Sequence, residues 1–268
     1  FVTGSWDGSV RIYQIIVNSR GVEDFRQLAC FHFEMPVTSV DWGRDKSKVY
    51  VALLNGSIST LNTQTGETGS SINAGGPIID MFYFRNLSSL FSVTTNGIIS
   101  KISSINSRPE TVKIPDSIMC CCEKQGYIVL AINDSLVGFL NVDRFSKEYI
   151  IEKSHELKSK PVSILINDEM TAMFIGGLND RILVYSISIS SHNTINTSLS
   201  FSFIRFDNPG VKTGLFHQIN SLVSFSVHNE VMLAIGSSGT TFKIININQR
   251  KEITIIDMSL PVTKIALS

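Results

Sequence analysis

Short apolar runs recur along this chain, and polar turns cut each of them off before it reaches helical length. Residues 37–42, 78–83, 117–122, 162–167, 220–225 and 262–267 are runs of this kind. Each of the first five is followed by a gap and a second apolar run. A tight turn and an alternating segment complete the unit. The clearest copy continues through residues 48–54, Asn55-Gly56 and Ser57, Ile58, Ser59, Thr60 and Leu61. Alternation at a period of two predicts strands with one buried face, and no stretch carries a helical period of useful length.

The turns are regular enough to define a repeat. They read Asp7-Gly8, Asn55-Gly56, Asn96-Gly97, Asn133-Asp134, Asn179-Asp180 and Ser238-Gly239, spaced 37 to 59 residues apart. Asn-Gly or Asp-Gly between two apolar runs is a hairpin signal, and the two-residue turn it predicts needs positive φ at both central residues. Pro36, Pro77, Pro161 and Pro261 each stand directly before an opening run. Proline is tolerated at the first residue of a strand and costs a ladder bond inside one, so these prolines mark loop-to-strand boundaries.

Repeating units of about 40 residues with four strands each are the pattern of propeller blades. Six hairpins, a seventh opening strand at residues 262–267 and a strand missing before Phe1 predict an all-β, seven-bladed β-propeller truncated at both ends. Residues 1–268 then form one propeller domain, the ordered part of a longer protein. Residues 186–200, rich in Ser, Asn and Thr, are expected to form a surface loop, and residues 17–34 a second long connection. The segment GETGSSINAGG, residues 66–76, resembles a phosphate loop but lacks the Lys-Ser/Thr ending and a following helix. It is expected to be an inter-blade loop.

Composition narrows the function. Of the 268 residues, 43% are hydrophobic and 17% charged, enough to build a core. The 23 basic and 23 acidic residues cancel, which argues against a protein built mainly to neutralise a phosphate backbone. Cys30 and the run Cys120, Cys121, Cys122 form no regular framework, and neighbours on a strand point to opposite faces, so reduced thiols are expected, in a cytosolic or nuclear setting. The opening-strand run Cys120–Cys122 reads as packing, as does Trp42. Trp6, beside the first turn, is either an inter-blade contact or an exposed anchor. His32, His155, His192, His217 and His228 show no metal-ligand spacing, and no serine sits in a GxSxG elbow. No catalytic, metal or cofactor site is expected, and the chain reads as a non-enzyme.

Gly4-Ser5-Trp6-Asp7-Gly8-Ser9-Val10-Arg11-Ile12-Tyr13 resembles a WD-repeat segment. In the other units the closing dipeptide is replaced by Leu61-Asn62, Ile102-Ser103, Tyr185-Ser186 and Ile245-Asn246. In order along the chain, four stretches are similar to the nuclear mRNA-export propeller family, sister to the mitotic-checkpoint propellers. They are the opening segment with its long connection into Pro36-Val37; Ile114-Pro115-Asp116 running into the cysteine strand; Leu157-Lys158-Ser159-Lys160 through Gly176-Gly177-Leu178-Asn179-Asp180-Arg181; and Phe201-Ser202-Phe203 through Gly236-Ser237-Ser238-Gly239.

That resemblance implies a non-catalytic docking adaptor of the nucleus and nuclear pore, shuttling to the cytoplasm. Its partner would be a GLEBS-type acidic hairpin of an FG nucleoporin or a checkpoint kinase, with weak single-stranded RNA contact. Neither membrane insertion nor a small-molecule substrate is implied. The family places an arginine that meets hairpin glutamates where this chain has Asp207, with Arg205 two residues earlier. Lys158, Lys160 and Arg205 are the expected partner-binding residues, acting by electrostatic steering of the hairpin. A spindle-checkpoint adaptor and a generic WD-repeat scaffold subunit are the alternatives.

Overall fold

A computed structural model describes the chain apart from residues 19–20, 134–135, 146–148, 154–159, 179–180, 192–198, 206–210, 213–217, 250, 259–260, 263 and 266–268. All regular structure among the described residues is antiparallel β, in successive sheets that follow the chain. The chain divides into two compact units.

In the first unit, β1 (Val2–Gly4), β2 (Ser9–Asn18) and β3 (Gly21–His32) form a three-stranded sheet. The next sheet is β4 (Val37–Trp42), β5 (Lys48–Leu53), β6 (Ser57–Asn62) and β7 (Thr68–Asn73). The third runs β8 (Ile78–Phe84), β9 (Ser89–Thr94), β10 (Ile98–Ile102) and β11 (Glu110–Lys113). In the latter two, sequence order is spatial order, so each is a meander of hairpins with an opening, a second, a third and an outer strand. The first sheet begins at the strand equivalent to a second strand.

The second unit repeats the meander. Its first sheet is β12 (Ile118–Lys124), β13 (Tyr127–Ile132), β14 (Leu136–Asn141) and β15 (Tyr149–Lys153). The next is β16 (Pro161–Ile166), β17 (Ala172–Gly177), β18 (Arg181–Ser191) and β19 (Leu199–Arg205), with β20 (Val211–Lys212) also paired to β18. The last is β21 (Ile219–Val227), β22 (Glu230–Ser237), β23 (Thr241–Asn246) and β24 (Lys251–Asp257).

Cores lie between successive sheets within each unit. Val10 of β2 packs with Val37, Val49, Val51 and Leu61, and half-buried Trp42 lies against this cluster. Ala52 and Ile58 pack with Ile78, Met81 and Leu90. In the second unit Cys120, Val129 and Phe139 pack with Ile164, Met173 and Ile175, while Phe174 and Ile182 pack with Ile219, Leu222 and Leu233. Burial of this kind stabilises by about 25 cal/mol per Å² of apolar area. It holds the sheets together where the repeat's polar signature residues are missing.

Three loop expectations are corrected. Residues 21–32 form a long strand against β2, with Ser9 opposite His32 and Asn18 opposite Gly21. Residues 68–73, inside the glycine-rich segment, form outer strand β7. Within residues 186–200, β18 continues to Ser191 opposite Leu199, so the long repeat step is an extended hairpin. The turn type differs as well. Gly8, Gly56 and Gly97 have φ of 80°, 85° and 83°, but Asp7, Asn55 and Asn96 do not have positive φ. The Gly8 N–H donates to Ser5 O at 3.1 Å and the Gly56 N–H to Leu53 O at 2.9 Å, which is a type I turn followed by a left-handed glycine.

Candidate partner-docking face

The glycine turns and the connections between sheets meet at the same end of each sheet. In the first unit the chain leaving an outer strand is pinned to its own sheet's turn. Phe33 N donates to Gly8 O at 2.8 Å, Ala74 N to Gly56 O at 2.9 Å and Ile114 N to Gly97 O at 2.8 Å. Turns are tied in the same way to the preceding connection, Leu54 N to Pro36 O and Thr95 N to Pro77 O, each at 2.9 Å. A Cβ on Gly8, Gly56 or Gly97 would collide with the carbonyl oxygen of Phe33, Gly76 or Ile114. Glycine is thus required there for room as well as for φ.

Side chains before the glycine complete each turn. The Asp7 carboxylate accepts from Ser9 N at 2.8 Å, Ser9 Oγ at 2.5 Å and Arg11 at 3.2 Å. Asn55 accepts from Ser57 N at 3.0 Å and Ser57 Oγ at 2.7 Å. The Ser9 hydroxyl and amide, joined by Ser5, hold the Asp7 carboxyl far below the usual carboxylate range. The ion pair with Asp7 raises the Arg11 guanidinium. This ordered turn presents Trp6 with 70% of its surface exposed. Trp6 is therefore exposed and not packed between sheets, and tryptophan is a residue type enriched at binding hot spots.

In the second unit the corresponding end carries cationic positions. Lys160 is exposed and directly precedes Pro161, which pairs with Gly177. The next strands bring Arg181 opposite Lys212 at the same level. Leu178, 53% exposed, sits at this end too. Lys158 lies outside the described residues, as do Asp207, His155, His192 and His217. Arg205 pairs with Tyr185, which pairs with Met173, which pairs with Ile166. Backbone register therefore puts Arg205 and Lys160 at opposite ends of one sheet, and it joins Lys160 instead with Arg181 and Lys212. Sequence reading passed over that pair because β20 follows β18 only after a long excursion of the chain.

The remaining candidate chemistry is dispersed. Cys120 is buried, and burial pushes its thiol far above the ordinary range, as a packing role requires. Cys30 Sγ lies 3.7 Å from His32 Nε2 on the exposed face of β3. No group of three or more metal-ligating side chains occurs among the described residues. A polar cleft of about 280 Å³ in the first unit is lined by Lys48, Tyr50, Thr60 and Ser103 among others, at the end of the sheets away from the glycine turns. Burial raises the Tyr50 phenol, which stacks on Tyr83 with ring centroids 5.6 Å apart. No helix among the described residues is long and apolar enough to cross a membrane.

Meandering four-stranded sheets packed one after another define a β-propeller, an all-β class. The comparison of structures agrees: the chain is similar to the β-propeller domain of Cps50 (Swd1) from Myceliophthora thermophila, with a TM-score of 0.66 and 10% identity, over 97% of this chain and 82% of that one. In sequence it is 22% identical over 241 residues to the Poly(A)+ RNA export protein of Schizosaccharomyces pombe. That alignment takes in 88% of this chain and 65% of the length of the yeast protein. No family model matches the chain.

Proposed function

We propose that this propeller is a non-catalytic docking adaptor in mRNA export, working at the nuclear pore and shuttling between nucleus and cytoplasm. The observation that carries the reading is the similarity, along most of the chain, to a protein named for poly(A)+ RNA export, on a fold that typically serves as a scaffold. Recruitment needs no chemistry. The turns at the sheet ends are offered to a partner segment that orders on binding, and the proposed partner is a GLEBS-type acidic hairpin of an FG nucleoporin.

The proposed contacts are Lys158, Lys160 and Arg205; Trp6, in the first unit, is proposed separately as an exposed anchor. Lys160 shares its sheet end with Arg181 and Lys212, so an acidic segment docking there is favoured electrostatically, and the effect weakens with salt. Arg205, at the other end of the sheet, contributes to long-range steering under this reading and not to the same contact. The reading takes residues 1–268 as one propeller domain of seven units. The bonds and packing that Val262 and Ile265 make against the preceding sheet support the seventh.

Calorimetry of the full-length protein against hairpin peptides from its organism's FG nucleoporin and checkpoint kinase tests the proposal. Tight binding to the nucleoporin peptide, weaker binding to the kinase peptide and slower low-salt association of Lys158→Glu/Lys160→Glu are the expected results. Absence of binding to either peptide would leave only a scaffold of another complex.

A further inference from the structure

Lys48 and Tyr50 alternate with buried Val49 and Val51 along β5, so they share one face of their sheet. Thr60 of β6 lies directly opposite Tyr50 on that face. Two residues of β7, Gly69 and Ser70, then stand against Thr60 alone, because Ser59 pairs with Ser71 and Leu61 with Thr68. This is a β-bulge, which bends a strand and re-aims a side chain. Ser70 joins Lys48, Tyr50 and Thr60 in the wall of the polar cleft of about 280 Å³, and Ser104, just after β10 in the next sheet, lines it from the other side.

Two of these hydroxyls have nothing in the protein to bind. Thr60 is only 9% exposed, and neither its Oγ1 nor the Tyr50 hydroxyl has a hydrogen-bond partner among the described residues. A buried polar group in that position calls for an explanation. Gly69 keeps the Thr60 hydroxyl uncovered, since a Cβ there would collide with Thr60 Oγ1. The groups offered to the cleft are donors. Lys48 brings an ammonium, burial holds the Tyr50 phenol in its protonated form, and the Ser104 oxygen already accepts from Asn106 N at 3.3 Å, which leaves its proton free. Among the described residues no carboxylate lines the cleft. Asp45 stands outside the lining, its carboxylate engaged by the Ser47 hydroxyl.

We propose that this cleft binds a phosphate monoester group, held by the Lys48 ammonium and the hydroxyls of Tyr50, Thr60, Ser70 and Ser104. A phosphate group brings negative charge and three strong acceptor oxygens, which matches donors converging from three strands and a loop. A carboxylate offers two oxygens in one plane and would leave donors unused. The volume falls just below the usual range of small-molecule pockets, which fits one such group better than a whole cofactor. Free phosphate and a phosphorylated serine side chain present the same chemistry, and the test separates them. The cleft lies at the end of the sheets away from the glycine turns, so the proposal stands independently of the adaptor reading.

Amide chemical-shift titration of the full chain with inorganic phosphate and with O-phospho-L-serine, each to about 50 mM at constant ionic strength, is the test. Shifts should concentrate at residues 48–50, 60, 69–70 and 103–106, and L-serine should produce none. Tyr50→Phe keeps the stack on Tyr83 and Thr60→Val keeps the side-chain shape, and each should weaken binding about tenfold. Lys48→Met should weaken it about fivefold. Asp45→Asn should tighten it about twofold, because that carboxylate acts on both Tyr50 and Lys48. Tighter binding of phosphoserine than of inorganic phosphate assigns the cleft to a phosphorylated side chain, and the reverse order assigns it to the free ion. No shift at these residues, an equal response to L-serine, or an affinity unchanged in both Tyr50→Phe and Lys48→Met overturns the proposal.

Discussion

Ser92 and Ser100 face each other across β9 and β10, and both are buried at 0% and 1% exposure. Neither hydroxyl has a hydrogen-bond partner. A buried donor left unpaired costs about 1–3 kcal/mol, whereas an alanine at the same place keeps the strand and removes the cost. Ser100→Ala is therefore expected to stabilise the protein by about 1 kcal/mol, a rise in Tm of about 2–4 °C for a chain of this size. Scanning calorimetry decides it, and a lower Tm would mean the hydroxyl has a role the packing does not reveal. The serine pair was invisible in the sequence, since Ser92 and Ser100 sit in runs that read equally well as solvent-facing polar positions. Trp6 was the opposite case. Its neighbours Asp7 and Gly8 announced a turn, and the turn's own hydrogen bonds leave the indole outside.

At the scale of strands, the inner ones were legible and the outer ones were not. β4, β8, β12, β16 and β21 are buried on alternate or successive positions, so their apolar runs stand out, and each begins within a residue of its expected start. β7 is exposed at nearly every position, so nothing in its side chains distinguishes it from a loop. β3 was hidden differently, by charged residues such as Glu23, Asp24 and Arg26 in a strand that pairs along its full length with β2. Glycines within second strands carry another signal that pattern reading misses. Gly176 of β17 leaves room for the next sheet: a Cβ there would come within 2.6 Å of both Ile219 Cγ2 and Ser163 Oγ. Ser163 Oγ already donates to Ile219 O at 3.0 Å, so neither neighbour can withdraw cheaply. Gly176→Ala should destabilise by about 1–3 kcal/mol, the usual cost of overpacking. Urea unfolding would show it as a lower midpoint at constant slope, and an unchanged midpoint would mean that the sheets slide apart freely.

Within each unit, one rule of assembly recurs, and it makes sense of the chain's last described residues. At one junction in each unit an apolar residue after the loop packs against a glycine of the preceding second strand and sends its backbone N–H to the carbonyl beyond it. Val37 does so with Gly4 and Ser5, the bond measuring 3.0 Å. Val262 does the same with Gly236 and Ser237, also at 3.0 Å, and Ile265 N takes the Ser221 hydroxyl at 2.9 Å. Residues 262, 264 and 265 carry no strand assignment, because the expected strand over 262–267 has no following strand to pair with among the described residues. Their contacts are nonetheless those of an opening strand. If these residues were merely a tail, a charge among them would cost little. If they are the opening strand of a further unit, Ile265→Asp must strip cover from β22, as Val40→Asp would from β1, because both side chains sit beside the glycine of the preceding sheet. Faster amide hydrogen exchange across residues 230–237 in Ile265→Asp, with β5 and β9 unchanged, is the expected outcome. Exchange identical to that of the parent would remove the seventh unit from the reading.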